Sequence, residues 1–285
     1  MQRLEYKYLI AESLALRVRE FVRCHLEPDE YGATQPDGAY AIHSLYLDSD
    51  DLKTYWETVN SNKNRYKLRL RYYDDDPESP VFFEIKRRLN DAILKQRGGV
   101  RRSAVAWLLS GQLPEPEHLL SAQAKQFVAL QRFSQIMLGI EARPMAHVAY
   151  RREAWVSSRD NSVRVTMDRE VRVAPAFTAT LQTDIGRHVR PFGNRVILEL
   201  KFTDRFPKWF QVLVEAFGLT RGPAAKYAGG VALIGEASFY RHRPLNTKAH
   251  GGVQDSALES SVDSGDMQAV SSGVLDDRDG LALPG

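Results

Sequence analysis

Apolar and polar residues alternate along the chain in short strand-like runs, separated by segments whose apolar residues recur at helical spacing. RLEYKYLI at 3–10 reads as a strand, and ESLALRVREFVRCHL as a helix carrying Leu14, Val18, Phe21, Val22 and Leu26 on one side. HSLYLDS is a short strand, and DDLKTYWETVN is a helix with Leu52, Tyr55, Trp56 and Val59 together. NRYKLRLRYY and PVFFEIKRR follow as strands joined by the polar turn DDDPESP, with ILKQRGGVRR as a third strand interrupted by Gly98 and Gly99. Helices are expected from Ser103 to Gly111 and over 117–138. MAHVAYRREAWVS, SVRVTMDREVRVA and RVILELKF are further strands; helices follow from Pro207 to Gly218 and from Pro223.

The period-2 alternation sorts these strands into two faces. Lys67, Arg69 and Arg71 project together, opposite Leu68, Leu70 and Tyr72. Arg164, Thr166 and Asp168 oppose Val163, Val165 and Met167. A Glu-x-Lys triplet occurs on three strands, as Glu5-Tyr6-Lys7, Glu84-Ile85-Lys86 and Glu199-Leu200-Lys201. An antiparallel sheet with one wet face explains any one of these strands. It does not explain why the polar faces are so rich in Lys and Arg, or why helices are plentiful enough to cover the apolar ones. If several such strands close, the fold is α+β: an antiparallel closed β-barrel with a charged interior and helices packed outside. Such an interior repels itself when empty and calls for a polyanion, with interleaved carboxylates pairing lysines or holding a divalent metal.

Composition agrees with a globular protein: 43% of the 285 residues are hydrophobic, and 10% are aromatic. No stretch has the length of a membrane span, and Met1–Ile10 has no apolar signal core. The net charge of +3 conceals an asymmetry. Residues 244–285 carry Asp255, Glu259, Asp263, Asp266, Asp276, Asp277 and Asp279 against Lys248 and Arg278, a net −5 that leaves +8 for residues 1–243. The first segment is expected to be the folded domain and the second an acidic, Ser/Gly-rich disordered tail. The single cysteine, Cys24, is expected to be buried in a reducing, cytoplasmic protein. The seven histidines show no ligand spacing, His147 is expected in the core or at the surface, and there is no phosphate-binding loop of the G-x-x-x-x-G-K type.

With these stretches assembled, the chain resembles the triphosphate tunnel (CYTH-like) superfamily and, within it, the polyphosphate polymerase domain of the vacuolar transporter chaperone type. The resemblance runs over about residues 3 to 235. It is carried by R-x-E-x-K-Y at Arg3–Tyr8, K-L-R-L-R-Y-Y at Lys67–Tyr73, F-F-E-I-K at Phe82–Lys86, Y-R-R at Tyr150–Arg152, V-R-V-T-M-D at Val163–Asp168, V-I-L-E-L-K at Val196–Lys201 and A-K-Y-A-G-G at Ala225–Gly230. It implies catalytic roles for Lys7, Arg69, Arg71, Arg152, Arg164 and Lys226, and substrate binding by Lys67, Lys86, Lys95, Lys201 and Arg151. Of the adjacent Arg151 and Arg152 only one can face inward, and the Y-x-R pattern favours Arg152. The metal ligands implied are Glu199 and Glu84, the metal Mn²⁺ or Mg²⁺.

The activity implied is transfer of the γ-phosphoryl group of a nucleoside triphosphate, ATP, to a growing inorganic polyphosphate. The rivals are a metal-dependent triphosphatase or polyphosphatase on the same fold and a non-catalytic polyanion or RNA binder. Arg3 stands where the hydrolytic branch carries a first Glu, which weighs against hydrolysis. Ala225 replaces a hydroxyl residue of the polymerase branch. The membrane helices and inositol-phosphate-sensing domain of the eukaryotic complexes are missing, so the resemblance implies a stand-alone bacterial form.

Overall fold

A computed structural model describes residues 3–90, 92–158 and 162–240; the expected tail at 244–285 lies outside them. In chain order the elements are β1 (Arg3–Ile10), α1 (Glu12–Arg23), β2 (Glu27–Pro28), β3 (Ala39–Asp48), α2 (Lys53–Val59), β4 (Asn64–Tyr72), β5 (Val81–Leu89) and β6 (Ala92–Val100). They continue with α3 (Val105–Leu109), α4 (Ala124–Gly139), β7 (Arg143–Val156), β8 (Val163–Pro175), β9 (Val196–Thr203), α5 (Lys208–Ala216) and α6 (Lys226–Ile234). The glycine pair does not interrupt β6. Gly98 sits under α4, where a Cβ would lie 2.5 Å from Leu130 Cγ and 2.8 Å from the Gln126 carbonyl oxygen. A Gly98→Ala substitution should therefore destabilise the protein by about 1–3 kcal/mol through overpacking, measured by denaturant unfolding.

The strands form one antiparallel sheet in the order β2-β7-β3-β4-β5-β6-β1-β9-β8, with a further pairing of β7 to β8. Between β6 and β1 the ladder is reduced to Arg3 opposite Ile93. This seam carries a single residue pair where its neighbours carry long ladders, so the sheet is not the expected continuously hydrogen-bonded closed barrel. The charged side chains there explain the weak joint: Lys95 turns to Glu84 on β5, and the crossing to β1 is made by Lys86, 3.2 Å from Glu5.

Two large clusters bury the apolar side, and a third covers part of the charged side. α1 and α5 bring Val18, Val22, Phe210 and Leu213 against Tyr8, Leu198 and Leu200. α3 and α4 set Leu108, Leu130 and Phe133 on Leu68, Leu70, Phe83 and Ile85. In the third, Tyr55 of α2 and Tyr227 and Val231 of α6 meet Ile42, Tyr46, Val173 and Ile197. Ile42 and Tyr46 share the β3 face of Ser44, which is in register with Arg71, and Ile197 lies two residues before Glu199. Thus α6 packs on the charged side of the sheet, a correction to the expectation that all helices lie outside. A register shift between Ala149 and Arg151 and a left-handed Glu170 (φ 51°) interrupt the alternation of β7 and β8. An extra residue swaps the faces of a strand, so Val173 can join the apolar cover under α6 while Asp168 stays with the charges.

Cys24 is exposed, not buried. It follows the last residue of α1, whose buried stripe is Ala15, Val18 and Val22, and a position two beyond Val22 falls on the opposite side. Among the described residues, no helix is long and apolar enough to cross a membrane.

Candidate polyanion-binding site

The triplets on β1 and β9 pair antiparallel and in register, so Glu5 faces Lys201 and Lys7 faces Glu199. Two copies of one acid-x-base pattern, run in opposite directions, place each acid across from a base. Glu199 becomes a hub: its oxygens lie 2.9 Å from Lys7, 2.6 Å from Lys201, 3.5 Å from Arg152 and 3.7 Å from Lys226. The Thr166 hydroxyl donates to it at 3.2 Å and accepts from Lys201 at 3.1 Å.

The third triplet, on β5, is flanked differently. Glu84 lies between Arg69 of β4 and Arg97 of β6, and Lys86 between Lys67 and Lys95. Arg69 donates to Glu84 through Nε at 2.8 Å, with Nη2 at 2.7 Å; Lys95 approaches to 2.6 Å and Arg97 to 3.4 Å. The lysine row has no such relief. Lys86 reaches Glu5, Lys95 shares Glu84, and Lys67 has no carboxylate within ion-pair distance among the described residues. Like charges directly opposed across a ladder are destabilising.

Where β7, β8 and α6 meet, Arg152 grips Asp168 with two parallel hydrogen bonds of 2.6 and 2.7 Å. Lys226, the first residue of α6, lies 2.6 Å from the second Asp168 oxygen and 4.7 Å from the centre of the Tyr150 ring. A cation at a helix N-terminus opposes the helix dipole, so it needs that carboxylate. The preceding Ala225 offers no capping oxygen. The Tyr150 hydroxyl accepts from Arg71 at 3.2 Å, while the buried Arg71 Nε has no hydrogen-bond acceptor. Glu84 and Asp168 are 0% exposed, Glu199 4% and Arg152 and Lys226 9%, so this face is enclosed and not a wet side of an open sheet.

Lys7, Lys67, Arg69, Arg71, Lys86, Lys95, Arg152, Lys201 and Lys226 are thus brought together, with Arg97 as an addition. They outnumber Glu5, Glu84, Asp168 and Glu199. Arg164 joins at the margin, 2.5 Å from Asp29, which also accepts from the Tyr40 hydroxyl at 2.9 Å. Arg151 does not join: it bonds Asp37 at 2.5 Å and the Ala39 carbonyl at 3.2 Å, with 41% of its side chain exposed. His147 is buried on the Tyr72 side, 3.0 Å from His43 and 3.1 Å from the Tyr72 hydroxyl. Arg97 was legible as the residue two beyond Lys95. Tyr46, which accepts from Arg69 at 3.0 Å, carried no charge signal.

Crowding of charge shows in the ionisation of these groups. Burial opposes the charge of Glu199, yet Lys201, Lys7, Lys226 and Arg152 hold its carboxyl well below the usual range. Asp168 falls to about 2 despite burial, chiefly through Arg152 and Lys226. Burial pushes Lys67 down to about 8, reinforced by Lys7 and Lys86. It also lowers Lys201 to about 8 and Lys95 to about 7, against the pull of Glu199 and Glu84 respectively. Tyr46 drops to about 7, because Arg69 and Lys67 overcome the upward effect of burial. A bound anion favours the charged lysines and raises their pKa values. Tripolyphosphate binding near pH 8 should therefore take up protons, and affinity should fall as pH rises past about 8. Calorimetry in buffers of differing ionisation enthalpy reads this directly; proton release on binding is the contrary result.

The donors for a metal are few. Glu84 is fully buried and ringed by Arg69, Arg71, Lys95 and Arg97, which does not fit an ion. Glu199 is ringed likewise, by Lys7, Lys201, Arg152 and Lys226, but retains 4% exposure; as a metal ligand it would supply one carboxylate, the remaining ligands being phosphate oxygens and water. Among the described residues, the three-donor cluster Glu115, Glu117 and His118 lies on the loop between α3 and α4, away from this face.

Residues 2–234 match the VTC domain. The chain is similar to Vacuolar transporter chaperone complex subunit 2 of Schizosaccharomyces pombe, at 22% identity over 186 residues that cover 59% of this chain and 25% of that protein. It is similar to Vacuolar transporter chaperone complex subunit 4 of Trypanosoma cruzi, at 25% identity over 242 residues, 72% of this chain and 29% of that protein. It thus matches only between a quarter and a third of the length of these curated relatives. The PH1819 protein from Pyrococcus horikoshii OT3 superposes with a TM-score of 0.42 and 11% identity, over 81% of this chain and 98% of that one. Since the domain match runs from β1 to the end of α6, the chain belongs to the VTC domain family.

Proposed function

We propose that this domain transfers the γ-phosphoryl group of ATP to the end of an inorganic polyphosphate chain. The observation that carries the reading is the enclosed face on which cations outnumber carboxylates and lysines stand opposite lysines; linked phosphates supply the missing negative charge. The family supports it, as do relatives named as subunits of vacuolar transporter chaperone complexes.

In this reading Lys7, Arg69, Arg71 and Lys226 cradle the triphosphate, while Arg152 and Arg164 face the phosphoryl group in transit. Lys67, Lys86, Lys95 and Lys201 hold the growing chain. A terminal oxygen of the chain attacks the γ-phosphorus, the bond to the β,γ-bridging oxygen breaks, and ADP leaves with that electron pair. The attacking oxygen is already ionised, so no general base is needed; positioning and charge neutralisation lower the barrier. Glu199 would hold a Mn²⁺ or Mg²⁺ ion that neutralises charge on the phosphate oxygens.

The test follows the label from γ-labelled ATP supplied with Mn²⁺ and a short polyphosphate. Label in a lengthening chain supports transfer. Label in orthophosphate alone overturns it in favour of the triphosphatase reading.

A further inference from the structure

Past Arg71 the charged face turns aromatic. Phe82 of β5 is in register with Arg71, and Tyr73, two residues beyond Arg71, falls on the same side by alternation. The two rings meet edge to face with centroids 6.2 Å apart. The Arg97 guanidinium lies 3.4 Å over the centre of the Phe82 ring and donates to the Tyr73 hydroxyl at 3.4 Å, so it links Glu84 and the charged face to these rings. On β3, Tyr40 is in register with Arg152. Tyr31, in the connection from β2 to β3, completes the group: its ring is nearly parallel to that of Tyr73 at 6.0 Å and stands 5.6 Å from that of Tyr40.

Tyr31 keeps 51% of its surface exposed, yet the segment that carries it is firmly tied. The buried Asp29 carboxylate accepts from the Gly32 backbone at 2.9 Å, from the Tyr40 hydroxyl at 2.9 Å and from Arg164 at 2.5 Å, and the Asp29 N–H donates to the Ala154 carbonyl at 2.9 Å. Gly32 lies so near Gly38 that a Cβ would stand 2.9 Å from its carbonyl oxygen. A ring held in place by its surroundings loses little freedom when a ligand stacks on it. A nucleoside triphosphate has two unlike halves: its phosphates call for cations, and its base offers flat faces that stack on aromatic rings. Charge and rings follow one another here in the same order, with Arg71 and Arg97 at the junction.

Building on the function proposed above, we infer that the nucleobase of the triphosphate stacks on the uncovered side of Tyr31, with the phosphates leading inward past Arg97 and Arg71. Stacking responds to the area of the base and not to its hydrogen-bonding edge, so purine nucleotides bind more tightly than pyrimidine ones, and ATP is not set apart from GTP.

The experiment measures binding of ATP, UTP and tripolyphosphate to wild type, Tyr31→Leu and Tyr31→Phe. Leucine keeps an apolar side chain against Tyr73 and Tyr40 but removes the aromatic face. Tyr31→Leu should bind ATP about tenfold more weakly and UTP about threefold more weakly, with tripolyphosphate within about twofold of wild type; Tyr31→Phe should stay within about twofold for all three. Unchanged ATP affinity in Tyr31→Leu, equal losses for ATP and tripolyphosphate, or an ATP loss as large in the Phe variant as in the Leu variant overturns the stack. A UTP loss as large as that for ATP contradicts the purine preference. Retained tripolyphosphate binding shows that the Leu variant is folded. Failure of wild type to bind ATP contradicts instead the function on which the inference rests.

Discussion

A Glu199→Gln protein should be less stable than wild type by about 3 kcal/mol at pH 7, because the substitution leaves Lys7, Lys201, Lys226 and Arg152 around a neutral amide in a buried site. The amide keeps the shape of the side chain, so the loss reports charge and not a cavity. Its pH dependence follows from the lysines. Glu199 supports the charged form of Lys201, whose pKa is already lowered to about 8. Without Glu199 that folded pKa drops further below the unfolded value near 10.4. A lysine with a lowered folded pKa penalises folding in full below that pKa, where both states are protonated. The penalty fades as pH rises towards the unfolded value, since the folded state then binds fewer protons than the unfolded. The deficit due to this lysine should therefore be largest well below pH 8 and shrink as the pH rises towards about 8, above which the folded Lys201 is neutral with or without Glu199. Tripolyphosphate should recover part of it by binding the folded state. Thermal unfolding across that range decides the matter: an unchanged midpoint, or a deficit independent of pH, contradicts the role of Glu199 as hub.

Arg152→Ala should lower turnover by on the order of a hundredfold or more, the usual scale for removing one group that neutralises charge in a transition state. Two further effects should accompany the loss. Asp168, fully buried, would retain among the described residues only the Lys226 ion pair at 2.6 Å, so stability should fall as well. Arg152→Lys, which keeps the charge but not the two-pronged grip on Asp168, should recover only part of the rate. A kcat decrease with KM nearly unchanged places Arg152 on the transferring group, and a KM increase alone places it on ground-state binding. Substitution of Arg151, bonded to Asp37 at the exposed edge, should leave both parameters near wild type.

Much of this site was legible by alternation alone. On β4, β5 and β9 the period-2 pattern runs unbroken, and Lys67, Arg69, Arg71, Glu84, Glu199 and Lys201 could be assigned to one face from the chain itself. The register between strands was not legible, and it is what makes Glu5 face Lys201 and Lys67 face Lys86. The register shift in β7 and the left-handed Glu170 in β8 leave no mark on hydrophobicity, so the turn of Val173 towards α6 could not be foreseen. Helix α6 misled for a related reason. Its Ala, Gly and Val residues suit the apolar outside of the sheet as well as the apolar end of its charged side, and only the tight seat of Gly230 on Val173 distinguishes the two. The open joint at β6 and β1 was hidden too, because the side chains that bridge it belong to β5 and β1.

The claim on which the rest stands is that the enclosed cationic face exists to hold linked phosphates. Thermal unfolding of the full-length protein with tripolyphosphate, set against citrate and sulfate at equal ionic strength, tests it most directly. The account predicts a concentration-dependent rise in the midpoint with tripolyphosphate that weakens above pH 8 and is small or absent with the other two anions. Equal rises for all three anions, or none with tripolyphosphate, would contradict it.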